Sequence, residues 1–94
     1  MTFIIDQDVT AELEAEFTSA WIKYGAFTSI HQAYGIILEE VDEFWDICKM
    51  KRKQRDAAAT RTELLQIAAM CIKAVYSMDN FVGPERDNAG KLKD

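Results

Sequence analysis

Two glutamates occupy positions where a charge has to be explained. Advancing 100° per residue from Ile36, the stretch Ile36–Cys48 gathers its apolar side chains on one broad arc, and Glu40 lands at about 40° inside it, between Ile47 and Phe44. Glu43 falls one step outside Ile36, Asp42 and Asp46 take the far face, and Glu39 lies on its border. In the stretch Glu63–Met78, apolar residues run nearly all the way round the helix. Glu63 sits there between Met70 and Ala74, and only Gln66, Lys73 and Ser77 form a polar gap. A carboxylate directed into a core costs several kcal/mol unless it is paired, protonated or bound to a cation. No Lys or Arg lies within a turn of Glu40 on its own helix. The nearest cations, Lys49 to Arg55, come two turns later and read as a solvated cluster favoured by the helix dipole. Compensation has to come from outside the helix.

The elements that position these residues are long helices. One proline and four glycines are too few for the turns of a sheet protein. The spacing of Val9, Leu13, Phe17, Ala20, Trp21 and Tyr24 predicts a first helix from Asp8 to Tyr24, capped by Asp8 and ended by Gly25. A second helix starts at Ser29, which has capping-box spacing to Gln32, and runs to about Lys53. Gly35 inside it costs about 1 kcal/mol relative to alanine, tolerated if another helix packs closely there. The third helix starts at Asp56 or Thr60 and runs to about Asn80. If it starts at Thr60, Thr60-x-x-Glu63 is itself a capping box, a competing explanation for Glu63. The expected fold is all-α. Three main helices per chain cannot surround the third one, which predicts a homodimer, completing a four-helix-type bundle, or a dimer of dimers. Residues 1–82 form the helical domain, and 83–94, GPERDNAGKLKD, a mobile polar tail.

Composition narrows the class. Ninety-four residues make one domain. Eleven Lys and Arg against 16 Asp and Glu give a net charge of −5, which opposes a stable nucleic-acid partner. The longest apolar run, Ile67 to Ile72, is far short of the ~20 residues of a membrane span. The segment MTFIIDQDVT lacks the basic stretch and apolar run of a secretory signal. Cys48 and Cys71 suit neither a disulfide framework nor a zinc knuckle and read as small buried hydrophobes. The expectation is a cytoplasmic protein with no membrane contact.

The run Glu39-Glu40-Val41-Asp42-Glu43, followed after a spacer by Glu63-Leu64-Leu65-Gln66, resembles the EExxE…ExxD signature of the MazG-like all-α nucleoside triphosphate pyrophosphohydrolases, in their short, single-domain form. The surrounding text, KYGAFTSIHQAYGIILEEVDEFWD and ELLQIAAMCIKAV, is similar as well, so the resemblance covers Lys23 to Asn80. It implies Mg²⁺, or alternatively Mn²⁺, held by Glu40, Glu43, Glu63 and Gln66, with Glu39, Glu40, Glu43 and Glu63 as the catalytic set. It also implies a nucleoside triphosphate substrate cut between its α and β phosphates, in nucleotide-pool housecleaning. The helical wheel agrees: residues three apart share a face, so each helix presents a pair of oxygens, the hard donors that Mg²⁺ prefers. One position departs from the pattern. Gln66 stands where the family has Asp, and a neutral amide can ligate a metal but contributes less charge. The alternative is a weak or inactive helical oligomer serving as a nucleotide-binding or regulatory module.

Three further residues are candidates for substrate contact, each with a plainer reading. Lys73, two turns beyond Gln66, reaches a phosphate or is simply solvated. Trp21 clamps a nucleobase or belongs to the core, and the same two readings apply to Tyr24, Phe27 and Trp45. His31, near the start of the second helix, contacts a base or lies on the surface. Met70 and Met78 are expected in the core.

Overall fold

The computed structural model describes residues 4–83, and every regular element among them is helical. Helix α1 spans Gln7–Tyr24, α2 Ile30–Cys48 and α3 Ala57–Tyr76, with single 3₁₀ turns at Arg52–Gln54 and Met78–Asn80. Of the expected tail, all but Gly83 lies outside the described residues.

The helix ends follow from local hydrogen bonding. Asp6, rather than Asp8, caps α1, its carboxylate accepting from the Asp8 N–H at 2.8 Å. Gly25 ends the helix at φ 68°, a left-handed value natural to glycine, and its N–H donates to the Trp21 carbonyl. Ser29 caps α2 as expected, its hydroxyl accepting from the Gln32 N–H at 3.1 Å. That helix stops at Cys48, five residues short of Lys53. The Arg55 guanidinium reaches back and donates to the carbonyls of Ile47 at 3.3 Å and Cys48 at 2.9 Å, meeting the needs of a helix terminus there. Asp56 caps α3, accepting from the Ala58 N–H at 2.9 Å. Thr60 is inside the helix, its hydroxyl donating to the Asp56 carbonyl at 2.8 Å, so it cannot form a capping box with Glu63. The last residues expected in α3 form the separate turn Met78–Asn80.

Helix α3 packs against both α1 and α2 and is therefore the central element. Its C-terminal end is pinned to the α1–α2 connection. The Ser77 hydroxyl accepts from the Phe27 N–H at 3.0 Å and donates to the Lys73 carbonyl at 2.7 Å, and the Asn80 amide donates to the Phe27 carbonyl at 2.7 Å. Arg61 and Glu12 form a bidentate pair between α3 and α1, which in its exposed setting adds little stability.

Helix α3 departs from an ordinary surface helix in two places, burying part of its polar stripe beside Ala69 and exposing part of its apolar surface. Lys73, of its polar stripe, is 3% exposed and Ser77 2%, so Lys73 is not a solvated lysine. The apolar stripe Leu64, Cys71, Val75 and Met78 faces outward, with Val75 62% exposed. Tyr34, Leu38, Val41 and Trp45 make a similar outward stripe on α2. Trp45, Met78 and Cys71, expected in the core, are thus exposed in the single chain, because α1 and α2 leave one side of α3 uncovered. Gly35 is not a close-packing site: a Cβ there would meet nothing within 4 Å.

Candidate metal centre

The helical wheels explain how the acidic residues meet. The apolar arc that turns α2 toward α3 carries Glu40 within it, and the arc of α3 facing α2 carries Glu63. The two helices run in opposite directions, which brings Glu40 and its i+3 neighbour Glu43 level with Glu63. One carboxylate oxygen from each of the three lies within 4.8 Å of the others. Glu40 and Glu63 are half-buried, Glu43 exposed.

The cluster is electrostatically unfinished. One oxygen of Glu40 (Oε2) and one of Glu63 (Oε2) are buried without a hydrogen-bond partner among the described residues. Burial, together with the negative charges of Glu43 and Glu63, pushes the Glu40 carboxyl from 4.5 up to about 7. The Glu63 carboxyl is raised for the same reasons, burial first and then Glu43. Neither described ion pair, Lys49–Asp46 or Arg61–Glu12, reaches the cluster. Two oxygens on opposite sides of a hard divalent cation stand about 4–5 Å apart, twice a metal–oxygen bond. The donor set, its spacing and its two orphaned oxygens all fit such a cation.

The cluster borders a cleft of about 440 Å³ bounded by all three helices. Gln66, Met70 and Lys73, at i, i+4 and i+7 on α3, form its floor. Ile36, Glu39 and Glu40 belong to the α2 wall, and Glu16, Ala20 and Lys23 to the α1 wall.

No family model, curated protein or solved structure matches this chain.

Of the residues singled out from sequence, Glu40, Glu43 and Glu63 come together, and Glu39, Gln66 and Lys73 share the cleft with Glu40. Two lie elsewhere. Trp21 packs tilted against Phe17 at 5.6 Å and edge-on against Tyr76 at 6.5 Å, on the seam between α1 and α3. His31 is exposed and is not among the cleft-lining residues. Lys23 lines the cleft without having been read as a site residue, and Tyr24 and Phe27, weighed between core and nucleobase clamp, line it too. A signal for Lys23 was present: it is the single Lys, Arg, Asp or Glu between Glu16 and Glu39.

Proposed function

We propose that the chain is a metal-dependent nucleotide pyrophosphohydrolase that cleaves (d)NTP to (d)NMP and pyrophosphate and serves the cytoplasmic nucleotide pool. The observation that carries this reading is the cluster of Glu40, Glu43 and Glu63, with two buried oxygens lacking a partner, at the edge of a three-helix cleft. The EExxE…ExxQ resemblance supports it.

In this reading Glu40, Glu43 and Glu63 would hold Mg²⁺ or Mn²⁺, and Gln66, one turn beyond Glu63 in sequence, would complete the set through its amide oxygen. A bound cation would supply charge neutralisation for the phosphates and would lower the pKa of a water. Glu39, exposed on the cleft wall beside Glu40, accepts the proton released by the attacking water. The apolar lining around Glu40 and Glu63 lowers the local dielectric and strengthens every charge interaction in the site.

The functional unit in this proposal is a dimer. Tyr34, Leu38, Val41 and Trp45 repeat at spacings of four, three and four, and Leu64, Ala68, Cys71, Val75 and Met78 continue the same alternation. That is the repeat of a seam that packs against other helices. The paired α2 and α3 stripes of a second copy offer a self-complementary partner, giving a four-helix bundle.

A second reading, a nucleotide-binding or regulatory module without turnover, is favoured by one observation: Gln66 occupies the position of an acidic residue in the signature. Pyrophosphate release from a panel of NTPs and dNTPs, with Mg²⁺ or Mn²⁺, separates the two.

A further inference from the structure

The far end of the cleft carries the opposite chemistry. Lys73 is almost wholly buried and lines the cleft, with Nζ 4.4 Å from the Phe27 ring centroid and 5.5 Å from that of Tyr24. Lys23, from the α1 wall, places its Nζ 5.1 Å from the centroid of the same Tyr24 ring. Two ammonium groups from different helices thus lie against one aromatic ring.

Neither lysine forms an ion pair among the described residues, although Glu16 and Glu39 stand on the cleft walls. Burying an ammonium without a counter-charge is costly, and desolvation lowers the Lys73 pKa accordingly. Contact with two aromatic faces offsets only part of that cost. A structural lysine in such a place would be expected to have a carboxylate partner; this one has an open cleft.

We infer that Lys73, Lys23 and Tyr24 form a subsite for a phosphoryl anion, distinct from the carboxylate cluster. Two ammonium groups match the double charge of a phosphate or pyrophosphate group better than the single charge of a carboxylate, and lysine is a compact point-charge donor suited to it. Lys73 lies ten residues beyond Glu63 on α3, about 15 Å along the helix axis. The two ends of the cleft are therefore positioned to grip different parts of one elongated ligand. Equating that ligand with a nucleotide substrate rests on the function proposed above; the anion subsite does not.

The test is calorimetric titration of inorganic pyrophosphate into the full chain in EDTA, where the carboxylate cluster cannot contribute through a metal. The wild type binds, and its melting temperature rises with pyrophosphate. Lys73→Met weakens binding at least tenfold while the ligand-free protein melts no lower, because an unpaired buried ammonium has been replaced by an apolar chain of similar length. Lys23→Met, at an exposed position, weakens binding severalfold without disturbing the fold. Pyrophosphate binding indifferent to both substitutions would overturn the subsite, as would no binding at all. A free nucleoside that binds as tightly as its triphosphate, in wild type and Lys73→Met alike, would overturn it too, marking a base pocket instead. Failure of the hydrolase reading shows separately, as no pyrophosphate release with Mg²⁺ while metal-free pyrophosphate binding persists.

Discussion

Glu40 of α2 and Glu63 of α3 bring carboxylate oxygens within 4.8 Å of each other across the helix interface, and each keeps a buried oxygen that no described donor reaches. Like charges held this closely in a partly desolvated place work against the fold until a proton or a cation joins them.

The first consequence is a pH dependence of the metal-free protein. The unfolded chain releases the Glu40 proton near its ordinary 4.5, whereas the folded chain holds it to about 7. Between these values the folded state binds more protons than the unfolded one, so stability falls as pH rises through that window and stays lower above it. Thermal melts in EDTA from pH 4.5 to 8 should show this decline. Adding Mg²⁺ above pH 7 should reverse it, by about 1.4 kcal/mol when the ion is at ten times its Kd. Glu40→Gln should flatten the metal-free profile and shrink the Mg²⁺ increment. Melting insensitive to millimolar Mg²⁺ would speak against a metal centre.

The outward apolar stripes predict an oligomer. Trp45→Lys and Val75→Lys replace side chains 58% and 62% exposed in the single chain. In a monomer such changes stay within about 0.5 kcal/mol. In a dimer packed through these stripes they bury an unpaired charge, and sedimentation should shift from the dimer to the 10.7 kDa chain. A wild type that sediments as a stable folded monomer at micromolar concentration contradicts the dimer.

Gly35 gives a prediction of the opposite sign. It lies inside α2, and an added Cβ meets nothing within 4 Å. Gly35→Ala should raise stability by about 1 kcal/mol, several degrees in Tm. Destabilisation would mean that a partner surface approaches the backbone there.

Much of this arrangement was legible in the sequence, and the exceptions have physical causes. The helices, the Ser29 cap and the Gly25 stop follow from periodicity and local hydrogen bonding, which are properties of short stretches. Glu40 and Glu63 were legible because a carboxylate inside an apolar arc conflicts with its surroundings whatever lies opposite. The early end of α2 was not, since it depends on Arg55 folding back onto Ile47 and Cys48. The burial of Lys73 was also hidden: a polar stripe on a wheel shows no direction until α1 and α2 are placed around it. Tyr24 and Phe27 read as core aromatics or a nucleobase clamp, and a wheel could not show that Lys73 packs against both rings or that Tyr24 is exposed.

The most direct test of the proposed hydrolase is pyrophosphate release from nucleoside triphosphates with Mg²⁺ or Mn²⁺, measured in parallel on wild type, Glu63→Gln and Gln66→Asp. Wild type should release pyrophosphate from at least one NTP or dNTP. Glu63→Gln, which removes a ligand charge from a partly desolvated site, should lose at least about 100-fold. Gln66→Asp, which restores a charged oxygen three residues after Glu63, should gain roughly tenfold, about 1.4 kcal/mol of barrier. No release by wild type or Gln66→Asp on any nucleotide tried, with both proteins folded and binding metal, would contradict catalysis and leave the binding module in its place.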